Sequence, residues 1–372
     1  MSLARKHRIA SWKVLRRCVI FFMAICVIPV TLVLLVTTDQ YMKPNRVGEM
    51  GFIRPQISDA VISSQVKLTK NLTAVAERLE KRKMFLKRTC SNLGLDIPGN
   101  DSLHKPNAWE FLVNTQDHII WCNVFKAAST SWMYNFNILA GYSPGFLQKT
   151  KMVPLHLARQ KYPRVPLDDL KKSFNDSLSF LIVRHPLERL MSAYKDKLQH
   201  ALPHSYHQQL GNQIIKKYRS KTFRKSDTRW PSFEEFILYL FDCIKDGETL
   251  DMHWTPITEF CTPCMFDFDV IAHTETLQED QEYIIFKAGL QHKIKPEWKN
   301  SGRGVTAQQI EKYYSQITRA QILQLYHIYR YDFELFNYTL NGYIEVGQID
   351  KDPSALLQAI NIKDSNIKVT DG

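Results

Sequence analysis

Two segments of this 372-residue chain follow one plan. "HIIWCNVF" and "LSFLIV" are short apolar runs; a single cation follows each, Lys126 and Arg184, and then a helix-like stretch. Strand–loop–helix repetition favours a parallel sheet flanked by helices, an α/β fold. Open parallel sheets bind ligands beyond the carboxyl ends of their strands. Two adjacent strands would therefore aim Lys126 and Arg184 into one crevice, as a two-site clamp for a polyanion.

The residues around each cation fit that reading. After Lys126 come five small residues, Ala127, Ala128, Ser129, Thr130 and Ser131, and then an aromatic-rich helix. A helix N-terminus has unpaired backbone N–H groups and a partial positive charge, and small residues let an anion approach it. The phosphate loop of nucleotide kinases reads GxxxxGK[ST], and this stretch has no glycine. After Arg184, Pro186 suits the first turn of a helix, and Ser192 lies on that helix. A kinase would show an aspartate for Mg²⁺ at a strand end; here Val183 is followed by Arg184.

The chain begins with six cations and no acid in residues 1–17, about half of its net charge of +12. The uncharged apolar run Cys18–Val36 follows. Nineteen such residues span roughly 30 Å of hydrocarbon as a helix. The basic flank orients a signal-anchor with residues 1–17 in the cytosol and the rest across the membrane. Residues 37–105 read as a stem, in which Leu68, Leu72, Val75, Leu79 and Leu86 recur at heptad-like spacing. That pattern admits a homodimer, but favours a single helix with one sticky side. Residues 106–345 form the compact lumenal domain and 346–372 a tail. Capping-box signatures stand at Thr306–Gln309 and Thr318–Gln321. Asn71, Asn100, Asn175 and Asn337 begin N-x-[ST] triplets, the acceptor signal for N-glycosylation. Five cysteines lie beyond the apolar run; Cys122, in a buried run, is the expected free thiol. Cys90, Cys243, Cys261 and Cys264 are the expected disulfide formers.

Four blocks resemble one family, the membrane-anchored Golgi carbohydrate sulfotransferases that include the chondroitin and dermatan 4-O-sulfotransferases and the HNK-1 sulfotransferase. They are "WCNVFKAASTSW", "FLIVRHPLERLMSAY", "PSFEEFILYLFD" with "DMHWTPITEFCTPCMFDFDVIAHTETLQED", and "YRYDFELFNY". The first block departs from the family, which usually has Pro before the lysine and Ala-Cys-Thr after it. The resemblance implies a P-loop-like sulfotransferase fold in the Golgi membrane, with PAPS (3′-phosphoadenosine 5′-phosphosulfate) as donor and no metal. It implies that Lys126 and the loop Ala127–Ser131 hold the 5′-phosphosulfate, and that Arg184 and Ser192 hold the 3′-phosphate. Lys126 would stabilise charge developing on the leaving oxygen. The acceptor would be a glycosaminoglycan or glycoprotein glycan, with the 4-hydroxyl of N-acetylgalactosamine favoured and the 3-hydroxyl of glucuronate as the alternative.

An acceptor hydroxyl needs a general base. His156 comes first, about thirty residues after the donor loop; His253 is second, and Glu275 reads as a buried partner for a cation. Cys261-Thr-Pro-Cys264 lacks the further ligands of a structural zinc site. Lys216–Trp230 carries seven cations and one acid, a mobile loop or a groove wall for an anionic polysaccharide. Lumenal placement disfavours nucleic acid. A nucleotide-dependent kinase and a non-catalytic lectin-like membrane protein are the competing classes.

Overall fold

A computed structural model describes residues 59–219, 228–296, 307–352 and 354. The apolar run 18–36, the Thr306 cap and the centre of the basic segment lie outside them. No helix among the described residues is long and apolar enough to cross a membrane. The chain divides into two units, Met1–Ser63 and Ser64–Gly372, and the second holds the elements that position the site.

That unit opens within the long helix α1 (Asp59–Asn92). The edge strand β1 (Phe111–Asn114) and β2 (Ile119–Cys122) follow, then the helices α2 (Ser129–Leu139), α3 (Pro144–Lys149), α4 (Pro154–Lys161) and α5 (Leu167–Asp176). The central strand β3 (Leu178–Val183) leads into α6 (Pro186–Tyr194) and a π-helical turn, Lys195–Gln199. The helices α7 (Tyr206–Tyr218), α8 (Phe233–Lys245) and α9 (Ile257–Phe260) precede β4 (Val270–His273), and α10 (Leu277–Lys287), α11 (Ala307–Tyr314), α12 (Arg319–Ile328) and α13 (Arg330–Leu335) complete it.

The sheet order is β1-β2-β3-β4. Strands β2, β3 and β4 are parallel, with Cys122 beside Leu181 and Val183 beside His273. The expected parallel sheet is therefore present, with one addition: β1 pairs antiparallel with β2 through a short hairpin. Phe180 to Val183 are fully buried, which is why β3 reads as an uninterrupted apolar run. One core packs around the sheet and a second among α6, α8, α12 and α13. Thr318 and Gln321 form the reciprocal cap of α12, and Ile322, Leu325 and Tyr329 of its apolar stripe are buried.

Helix α1 packs on this domain. Its apolar positions Val75, Leu79 and Leu86 are buried in the sheet core together with Cys90. Arg78 and Arg82 reach Asp280 of α10 at 2.7 and 2.8 Å. Cys90 is bonded to Cys264, and Cys122 to Cys261. Among the described residues Cys243 is the free, buried thiol. Both cysteine expectations are thus corrected: Cys122 is paired and Cys243 is not. Apolar neighbours bury a thiol and a half-cystine alike, so the run around Cys122 carried no information about pairing. Both sulfurs of the Cys261–Cys264 pair are bonded to other cysteines, so the motif is neither a zinc ligand set nor a dithiol.

Candidate active site

The carboxyl end of β2 turns sharply before α2. The missing glycines are replaced by strain: Lys126 and Ala128 both adopt left-handed backbone, at φ 68° and 57°. Each such residue costs on the order of 1–2 kcal/mol. Ala128 sits at the N-cap of α2 and offers no side-chain cap. The amides of Ala128, Ser129 and Thr130 have no acceptor among the described residues. Two loop amides are already used internally: Ala127 N–H donates to Val124 O, and Ser131 N–H to Ala128 O. The Ala127 and Ser131 side chains are buried, whereas Thr130 is exposed. The donor contacts expected of this loop thus narrow to its middle three amides and the Ser129 and Thr130 hydroxyls.

Arg184 follows β3 directly, one strand away. Its Nη1 donates to the Lys126 carbonyl at 3.2 Å, and its Nε to Glu188 at 3.3 Å. The two residues expected to converge do meet, through the Lys126 carbonyl. Lys126 Nζ lies 3.0 Å from Asp196, which also holds Lys197 at 3.2 Å. Burial pushes the Lys126 amine below its ordinary range, and the Asp196 charge opposes the shift. Asp196 sits on the π-helical turn that continues α6, and Ser192 is half-buried on α6 itself. Three open amides and two cations at adjacent strand ends suit a ligand with separated anionic groups.

Arg189, not singled out in the sequence, holds the crevice together. It is fully buried on α6 and donates to three carbonyls: Phe125 at 2.9 Å, Thr255 at 2.6 Å and Met252 at 3.3 Å. It ties the residue before Lys126 to the segment that carries His253. A cation at a core-facing position of an otherwise apolar stripe was the available signal.

His253 is buried with its ring 4.8 Å from that of Phe125. Its Nδ1 donates to Asp251 at 2.6 Å, and His207 Nε2 meets the other Asp251 oxygen at 3.1 Å. Burial lowers the His253 pKa, and Asp251 opposes the shift. The two histidines hold the Asp251 carboxyl well below its usual range, against its burial. His253 Nε2 has no hydrogen-bond partner among the described residues. His207, Asp251 and His253 place ligand atoms within 4.8 Å of one another, a set with metal-ligating residue types. The direct histidine–carboxylate contacts make it a hydrogen-bonded relay, which fixes the ring and its tautomer.

His156 is elsewhere. It is exposed on α4, whose first residue, Pro154, accepts from Asn137 on the third turn of α2. Eight residues separate Ser129 from Asn137, about 12 Å of helical rise below the open N-terminus. Glu275 follows β4, half-exposed, and accepts from the Tyr338 hydroxyl at 3.1 Å; it is not the buried partner of a cation. Arg219 in the basic segment binds Glu235 at 2.7 Å.

Several proteins named carbohydrate sulfotransferases are similar to this chain. The chain is 30% identical over 251 residues to carbohydrate sulfotransferase 11 of Rattus norvegicus, covering 65% of this chain and 70% of that protein. It is 30% identical over 271 residues to carbohydrate sulfotransferase 9 of Homo sapiens, covering 71% and 60%. With carbohydrate sulfotransferase 10 of Xenopus laevis the identity is 29% over 274 residues, covering 70% and 76%. No solved structure matches the chain. The profile of the sulfotransferase family spans residues 109–339, from the start of the sheet to the end of the C-terminal block. The crevice at the ends of β2 and β3 lies inside that span, and the chain belongs to the sulfotransferase family, as an enzyme that uses PAPS as sulfuryl donor.

Proposed function

We propose that this enzyme transfers the sulfuryl group to a hydroxyl of a glycan on the lumenal side of the Golgi membrane, anchored by Cys18–Val36. The 4-hydroxyl of N-acetylgalactosamine in chondroitin- or dermatan-type chains is the favoured acceptor. The relatives named carbohydrate sulfotransferases support the glycan; the basic segment Lys216–Trp230 supports a polyanionic one. The observation that carries the reading is the contact of Arg184 with the Lys126 carbonyl, beside an uncapped helix N-terminus.

In this mechanism the donor supplies the sulfuryl group on a bisphosphate leaving group. The open amides of Ala128–Thr130 and Lys126 bind its 5′ end, and Arg184 with Ser192 its 3′-phosphate. Lys126 Nζ exchanges Asp196 for the bridging oxygen, where negative charge grows as the sulfur–oxygen bond breaks. His253 Nε2 accepts the acceptor's proton as the acceptor oxygen bonds to sulfur, and Asp251 holds the ring while its charge appears. His253 takes the role for which the sequence ranked His156 first, because it has an orienting carboxylate, a free nitrogen and a ring against Phe125. The test is transfer of labelled sulfate from PAPS to a panel of glycans, with disaccharide analysis of the product. Label on the 4-position of N-acetylgalactosamine is the expected result. Label confined to glucuronate would move the acceptor, and no transfer to any glycan would overturn the reading.

A further inference from the structure

A cavity of about 530 Å³ lies between α1 and the carboxyl end of β4, within the size range of ligand pockets, about 300–1,000 Å³. Phe85 supplies aromatic surface, backed by the buried Phe336, and Arg78, Arg82, Glu77 and His273 supply polar groups. Its charges cancel. Arg78, Lys81 and Arg82 are matched by Glu77 in the lining and by Glu279 and Asp280, which pair with the arginines. A wall with no net charge does not recruit a polyanion; aromatic faces among hydrogen-bonding groups suit a neutral sugar.

Asn337 lines the same cavity and is exposed at its rim. It adopts left-handed backbone at φ 56°, a conformation asparagine tolerates better than most residues. Asn337-Tyr338-Thr339 is a glycosylation triplet. Tyr338 anchors it from within, through Glu275 at 3.1 Å and His273 at 3.2 Å, and the Thr339 carbonyl accepts from His185 at 2.9 Å. The asparagine side chain is therefore held at the mouth of a neutral, aromatic-lined cavity.

We propose that Asn337 is glycosylated and that the first N-acetylglucosamine of its glycan seats in this cavity, bridging α1 to the C-terminal block. Tethering makes the contact intramolecular, so weak contacts suffice to keep the sugar seated. The inference rests on the lumenal placement proposed above.

The test uses full-length protein from a secretory host. Release by peptide N-glycosidase is followed at each triplet by mass spectrometry, on native and on denatured protein. Asn337 should be occupied, and its native release at least tenfold slower than after denaturation. Asn175, exposed at the end of α5 and outside the cavity, should show no such gap where occupied. Asn337→Gln and Thr339→Ala should lower Tm together, and Thr339→Ser, which keeps the triplet, should restore both glycan and Tm. Equal native and denatured release at Asn337, or an empty Asn337 with glycan at another triplet, would overturn the inference alone. Absence of glycan at all four triplets would overturn it together with the lumenal placement.

Discussion

Two sets of cations stand near the carboxyl ends of the strands, and they are held in opposite ways. At β4, Arg78 and Arg82 converge on Asp280, which is 0% exposed and also accepts from His273 N–H and Thr276. At β2 and β3, Lys126 and Arg184 pair with Asp196 and Glu188, 48% and 23% exposed. A buried aspartate with four donors cannot release its arginines without leaving charge stranded. A partly exposed partner, Asp196 above all, can be exchanged at a lower cost. The first set is a joint that fixes α1 to the domain; the second is a pair of cations that a ligand can take over.

The largest effect expected on the exchangeable side is loss of the base. His253→Ala should lower turnover by roughly 10²–10⁴-fold, while His156→Ala changes it less than about twofold. In the wild type, the acid limb of kcat/KM should fall below pH 6.5, because burial lowers the His253 pKa and the neutral ring is the active form. A pH–rate profile on both variants checks this, and an intact limb in His253→Ala would assign the base elsewhere.

Lys126→Ala should reduce turnover by roughly 10²–10³-fold, the loss of one preorganised stabiliser. PAP affinity should fall less, since Arg184 and the loop amides remain. If donor affinity collapsed and turnover at saturation survived, Lys126 would be a binding residue only.

On the fixed side the effect is on stability. Asp280→Asn keeps the shape but strands two guanidinium groups, at a cost of roughly 3–5 kcal/mol; Arg78, about a third exposed, favours the lower end. Arg184→Ala should cost less than Asp280→Asn, because Glu188 is partly exposed whereas Asp280 is not. Urea unfolding of the two variants measures the contrast directly, and equal losses would dissolve it.

The last expected effect on stability is graded with pH. Burial pushes His185 down to about 4 and His273 to about 3, from an ordinary 6.5. The unfolded chain then binds protons first, so stability is full above pH 6.5 and falls as pH drops toward 4. Each ring contributes up to about 1.4 kcal/mol per pH unit in that window. Urea midpoints at pH 7 and 5 test this; unchanged midpoints would mean both rings ionise freely in the fold.

Much of the exchangeable set was legible in the sequence. Strand β3 falls on "LSFLIV" because a strand buried on both faces leaves a continuous apolar run, and a cation at its end stands out. The α12 cap was legible because its chemistry is local, Thr318 with Gln321. The fixed set was not. Arg82 breaks the apolar spacing of α1, and its partner Asp280 lies 198 residues away. The proposed change of base from His156 to His253 has a similar origin. Thirty residues of chain from Lys126 to His156 lead down α2 and away, whereas Arg189 brings residues 252–255 back against Phe125.

The central claim is that the ends of β2 and β3 grip the two ends of one bisphosphate. The most direct measurement is the affinity for PAP relative to 5′-AMP, which lacks the 3′-phosphate, by calorimetry on wild type, Arg184→Ala and Lys126→Ala. Wild type should prefer PAP by on the order of 2–4 kcal/mol, the worth of a charge-assisted arginine–phosphate contact. Arg184→Ala should lose that preference and Lys126→Ala should keep it. An undiminished preference for PAP in Arg184→Ala, in a variant that melts like wild type, would contradict the account.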